Sequence, residues 1–255
     1  FRKLRITILL LLLLGISLNT WLSIVRVTDW EEPLWVVIYP INADDRIDTR
    51  QYISALREEH FEDMELFMQR EAKRYGIQID QPLEVKLAPL VRSHPPIIPE
   101  NPSLLMNVLW SLKMRFWSWQ NDNWEGPEPD IRIYMRLFSP ANRNVLEHSL
   151  GLQKGMIGLV NGFASVDYQG RNNMVAIHEL MHTLGATDKY DMETSLPLWP
   201  EGYAAPHQEP LLPQKTAEVM GGRMMVSGGI ALMPNSLKQV LVGPQTAHEI
   251  NWRTR

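Results

Sequence analysis

The sequence predicts an α+β protein: a mixed, twisted sheet with an antiparallel edge strand, packed helices, and a smaller irregular lobe toward the C-terminus. Three observations carry this. Short apolar runs alternate with segments of helical period between residues 31 and 184. The order reads strand, helix, strand, helix, strand, strand, helix, and strands separated by helices favour parallel pairing. After Gly185 the chain turns proline-rich, with Pro197, Pro200, Pro206, Pro210 and Pro213 close together.

The N-terminal stretch opens with Arg2, Lys3 and Arg5, and an apolar run follows from Ile6 to Val25. As a helix at about 1.5 Å per residue, this run would span roughly one bilayer core. It lacks an A-x-A-like cleavage site, so residues 1–28 read as an uncleaved signal anchor with Trp21 at the far interface. The basic residues place the N-terminus in the cytoplasm and the rest of the chain outside it. Secretion after signal cleavage is the competing reading.

Residues 29–255 then form the folded domain, with an upper lobe over 29–185 and a lower lobe over 186–255. Leu34–Tyr39 reads as a buried strand stopped by Pro40. A long helix follows over 49–75, capped by Asp48 and stopped by Gly76. "PLEVKLAPL" is a second strand, and Ser103 caps a second helix over 104–119. Its tryptophans are expected to pack it on the sheet, with contact to a bilayer interface as the alternative. "DIRIYMRLF" alternates as a third strand. "KGMIGLVNGFA", 154–164, is a fourth, and its glycines suggest a bulge or an exposed edge. A third helix spans 172–184.

Composition narrows the chemistry. The 255 residues carry a formal charge of −4, so the basic face of a nucleic-acid binder is not indicated. There is no cysteine, which excludes disulfides and thiolate metal sites. The third helix carries "HELMHTLGATD", 178–188. Residues four apart share a helix face, so His178 and His182 present both imidazoles to one ion. Glu179 stands beside them, where a general base for a metal-activated water belongs. Gly185 can end the helix sharply in a left-handed conformation. Asp188 is then the first metal-competent side chain to follow. Glu209, Glu218 and His207 compete with it as third ligand. Asp188 also competes as a calcium ligand, with Asp191 and Glu193. His60, His94, His148 and His248 read as ordinary surface or core residues.

The pattern H-E-L-M-H-T-L-G-A-T-D resembles the extended metzincin motif, H-E-x-x-H-x-x-G-x-x-H, with aspartate as third ligand as in snapalysin-type peptidases. The resemblance covers about residues 172–222. It implies one catalytic zinc held by His178, His182 and Asp188, with Glu179 as base, in a peptidase that cleaves protein or peptide substrates. It also implies a methionine turn under the metal, for which Met220 in "TAEVMGGR" is the candidate. An antiparallel edge strand would pair with extended substrate, and 155–164, with Gly155, Gly158, Val160 and Gly162, sits where that strand belongs. Tyr190 is a candidate contact to the oxyanion or substrate. Two non-enzymatic readings compete: a membrane-anchored protein in which zinc only stabilises the fold, and a metal-free scaffold that recruits a partner.

Overall fold

The computed structural model describes residues 26–252 except 98, 100–102, 143–145 and 147–148, together with six positions between 5 and 14. The proposed anchor therefore lies almost entirely outside the described residues, and His148 lies outside them too. No described helix is long and apolar enough to cross a membrane.

A five-stranded sheet organises the fold. Its strands are β1 (Leu34–Asn42), β2 (Leu83–Leu87), β3 (Ile131–Phe138), β4 (Leu150–Leu152) and β5 (Ile157–Phe163), in the order β2-β1-β3-β5-β4. The four longer strands are parallel, and β4 runs antiparallel to β5 at the edge. β1 is buried on both faces, which explains its unbroken apolar run. Val36 and Ile38 point into one core, while Val37, Tyr39 and Ile41 point into the other.

Helices α1 (Ile47–Ala55), α2 (Glu62–Arg74) and α4 (Gln169–Thr183) contribute to the first core. Helix α3 (Leu104–Gln120) contributes Trp110 and Met114 to the second. Ser103 caps α3 by accepting a hydrogen bond from the Met106 amide. Trp117 stacks edge-on against Tyr134, but Trp119 is exposed, so the α3 tryptophans only partly pack against the sheet. The C-terminal third holds a parallel pair, β6 (Ala217–Glu218) with β9 (Val240–Leu241). It also holds a hairpin, β7 (Met224–Ser227) with β8 (Ile230–Leu232), and the short helix α5 (Pro244–Glu249). Val219, Met220, Val242, Ala247 and Ile250 join the first core, so this irregular part is packed under α4.

Three elements differ from the sequence reading. β1 passes through Pro40 to Asn42. Ile38 and Pro40 turn their carbonyls toward the β2 side, to the amides of Ala88 and Val91. The missing Pro40 N–H faces the same side, beyond the end of β2, where no ladder bond needs it. The long helix over 49–75 is two helices, broken where Leu56 takes an extended backbone. A 3-10 turn over Glu58–Phe61 then redirects the chain, and both Leu56 and Phe61 are buried. Gly76 does end the second helix, with φ +78°.

The third difference concerns the edge. β5 is an interior strand with every residue buried; the edge strand is 150–152. Gly158, Val160 and Gly162 therefore pair inside the sheet, and Gly155 lies in a 3-10 turn before β5. Gly162 serves close approach: a Cβ there would stand 2.7 Å from Asn172 Oδ1. Asn172 uses that space to bracket Phe163, accepting from its amide at 3.0 Å and donating to its carbonyl at 2.9 Å. This joins α4 to the sheet.

Candidate metal centre

Helix α4 brings its histidines and glutamate to one place because its other faces are apolar. Met174, Ile177, Leu180 and Met181 are buried, which fixes the rotation of the helix. His178 and Glu179 are buried and His182 is half-buried. The helix ends in a Schellman motif: Gly185 N–H donates to the His182 carbonyl and Ala186 N–H to the Met181 carbonyl. Gly185 takes φ +108°, a conformation that favours glycine. The chain turns back and delivers Asp188.

The three side chains converge. Asp188 Oδ1 lies 3.1 Å from His178 Nε2 and 3.2 Å from His182 Nε2. One donor atom from each residue lies within 4.8 Å of the others, and this trio can hold a metal ion. Around a tetrahedral zinc with bonds of about 2.0–2.1 Å, ligand atoms stand roughly 3.3 Å apart, so the spacing fits. Each imidazole is oriented from its other nitrogen. His178 Nδ1 donates to the Val219 carbonyl and His182 Nδ1 to the Ala186 carbonyl, both at 2.9 Å. Those bonds orient both rings so that each Nε2 faces Asp188.

Electrostatics agree with a cation site. Burial raises the Asp188 carboxyl, but hydrogen bonds from His178 and His182 outweigh it and hold the pKa below the usual range. For Glu179 burial dominates and pushes the pKa up, against the opposing pull of the histidines. Glu179 Oε2 is buried and has no hydrogen-bond partner among the described residues. A buried, unsatisfied carboxylate oxygen is costly, and here it lies beside three metal-competent groups. Tyr190 stands with its ring centroid 6.1 Å from that of His178. Its pKa is pushed up to about 12, chiefly by burial and then by the charges of Asp188 and Glu179.

The rival ligands fall elsewhere. Glu218 is fully buried with both oxygens engaged: Oε2 accepts from the Met220 and Gly221 amides, Oε1 from the Gly243 amide and Thr246 Oγ1. Glu209 and His207 do not join the cluster, and among the described residues it is the one group of this kind. The calcium grouping does not form. Asp191 Oδ1 instead caps its own turn, accepting from the Glu193 and Thr194 amides and from Thr194 Oγ1. Met220 is fully buried in the turn 218–222, which closes with Gly222 N–H on the Glu218 carbonyl. The neighbouring Val219 carbonyl is what His178 holds, so this turn lies against the site.

Sequence reading missed four supporting residues. Gly151, on β4, passes so close to α4 that a Cβ would stand 2.5 Å from His182 Cβ and 3.3 Å from Glu179 Oε2. Glu218 braces the Met220 turn. Lys189 and Glu249 clamp the Asp188 loop: Glu249 accepts from the Thr187 amide, from Thr187 Oγ1 and from Lys189 Nζ at 2.8 Å. The Lys189 amide donates to the Met220 carbonyl. Only the glycine in "LGL" and the isolated acids of the C-terminal segment signalled these roles, and neither has a spacing rule. No family model matches the chain, and no curated protein matches it either. The functional reading therefore rests on the site itself.

Proposed function

We propose that the chain is a zinc-dependent endopeptidase of metzincin-like design, tethered by its N-terminal apolar segment with the domain outside the cytoplasm. The observation that carries this is the convergence of His178, His182 and Asp188 beside the unpartnered carboxylate oxygen of Glu179. A purely structural zinc site is normally closed by four protein ligands and has no use for a base. Three candidate ligands and a buried carboxylate suit hydrolysis.

In this reading His178, His182 and Asp188 hold the ion. Zinc, when bound, acts as a Lewis acid on the scissile carbonyl and makes water acidic enough to attack near neutral pH. Glu179 takes the proton of the attacking water and delivers it to the leaving amine; its raised pKa suits both steps. Tyr190, whose ring stands 6.1 Å from that of His178, is the candidate donor to the developing oxyanion. Met220, in the turn bonded to His178, fills the role of the family's methionine turn. The substrate lies extended along β4, which ends the sheet and places Gly151 against both His182 and Glu179.

Elemental analysis and peptide turnover on wild type and Glu179→Gln test the proposal. The expected result is one zinc per chain in both, with turnover only in the wild type. Equal turnover in the two proteins, or a folded wild type that takes up no zinc, overturns it.

A further inference from the structure

Helix α3 is apolar on two opposite sides, yet among the described residues it packs on one of them only. Trp110, Met114 and Ser118 face the sheet. On the opposite side Leu105, Val108, Leu109, Leu112, Phe116 and Trp119 follow one another at helical spacing of three and four. All six are exposed, from 49% for Val108 to 74% for Trp119. A stripe of this length is larger than scattered surface apolar residues account for.

The occupant follows from charge, side-chain type and chain path. The helix carries no acidic residue. Its exposed charge is Lys113, on one flank of the stripe, where a long basic side chain reaches headgroups while the apolar face meets acyl chains. Trp119 closes the stripe with an indole, a ring type that favours the membrane interface. The apolar run 6–25 ends at Arg26, whose guanidinium lies 3.4 Å from Asp130 at the start of β3. Helix α3 ends at that same margin of the sheet: Asp122, two residues past its end, accepts from Arg132 Nε at 2.8 Å. A bilayer that holds the apolar run is thus within reach of α3.

We propose that the exposed face of α3 lies lengthwise on an anionic lipid bilayer, a second membrane contact that sets the orientation of the domain. This rests on the membrane tether of the preceding section but not on its chemistry. The metal-site helix α4 packs on the other face of the sheet, so the docked domain turns its site away from the lipid.

The chain has no cysteine, so single substitutions can carry a fluorophore. Leu105→Cys, Leu112→Cys and Leu66→Cys are labelled in the full chain; Leu66 is exposed on α2, across the sheet. Each is mixed with phosphatidylcholine–phosphatidylglycerol vesicles whose acyl chains carry nitroxides. Flotation reads the tether, and quenching reads the helix. The expected result is co-flotation, severalfold stronger quenching at 105 and 112 than at 66, and weaker quenching at 112 when Lys113→Glu is added. Co-flotation with 105 and 112 unquenched overturns the docking alone. So does quenching at 112 without 105, or an apolar environment at 112 without lipid, which would mean that protein covers the stripe. A chain that does not float overturns both docking and tether.

Discussion

Asp188 and His182 meet at 3.2 Å although the helix that carries the histidine has already ended. The meeting depends on Gly185 reversing the chain and on Glu249 gripping the residues either side of the aspartate. The third candidate ligand is therefore supplied by a clamped loop rather than by a regular element.

Removing that ligand tests the site most directly. Asp188→Ala is expected to lose most of its zinc while remaining folded, since the Asp188 side chain is about one-third exposed and packs little core. Elemental analysis after dialysis checks this. Wild-type zinc content in the variant would move the ligand set elsewhere.

Glu218→Gln should be costly. Each carboxylate oxygen accepts two hydrogen bonds, so an amide nitrogen faces two backbone N–H donors at the Oε2 position and one, from Gly243, at the Oε1 position. The expected loss is about 2–4 kcal/mol in urea unfolding. Because Val219 leads into this turn and orients His178, zinc affinity should also fall by roughly 10–100-fold, read by competition with a chelator.

Gly151→Ala places a Cβ 2.5 Å from His182 Cβ and 2.7 Å from the Glu179 carbonyl oxygen. Helix and edge strand must separate, at an expected cost of about 1–3 kcal/mol. Peptide turnover should drop more than the stability loss alone requires, because β4 and the Glu179–His182 turn move together. Full turnover in a folded variant would place the substrate away from β4.

Acid should loosen the clamp. Burial pushes the Glu249 carboxyl up, but Lys189, the Thr187 amide and Gln245 outweigh it and hold it below its ordinary value of 4.5. A depressed carboxyl contributes stability above its unfolded pKa and loses it as pH falls through the folded one. Urea midpoints of the wild type should therefore fall more steeply than those of Glu249→Gln between about pH 5 and about pH 3. At pH 7 the variant should be the less stable, since buried Lys189 loses its counter-charge and keeps the Thr187 carbonyl. Parallel midpoint curves would remove the clamp from the account.

Much of the site is legible in the amino-acid order because its rules are local. Two histidines four apart share a helix face whatever surrounds them, and a glycine three residues on ends the helix there. The buried strand over 34–39, the Ser103 cap and the Gly76 stop are equally local. The break at Leu56 is not: no glycine or proline marks it, and it exists because Leu56 and Phe61 both gain burial. The glycines of 155–162 suggest an edge because glycine weakens a strand. Gly162 instead makes room for Asn172, a residue of another element.

By itself, then, the amino-acid order determined the helix that presents His178, Glu179 and His182, the turn that delivers Asp188, and the mixed sheet of the upper lobe. Periodicity and caps act over a few residues, and so they can be read along the chain. Only the tertiary structure decided that β4 rather than β5 forms the edge, that Glu218 braces the turn, and that Lys189 with Glu249 holds the Asp188 loop. The contacts that decide these points include Glu218 with Gly243, 25 positions apart, and Lys189 with Glu249, 60 apart, and their partners are chosen by packing, which no local pattern encodes.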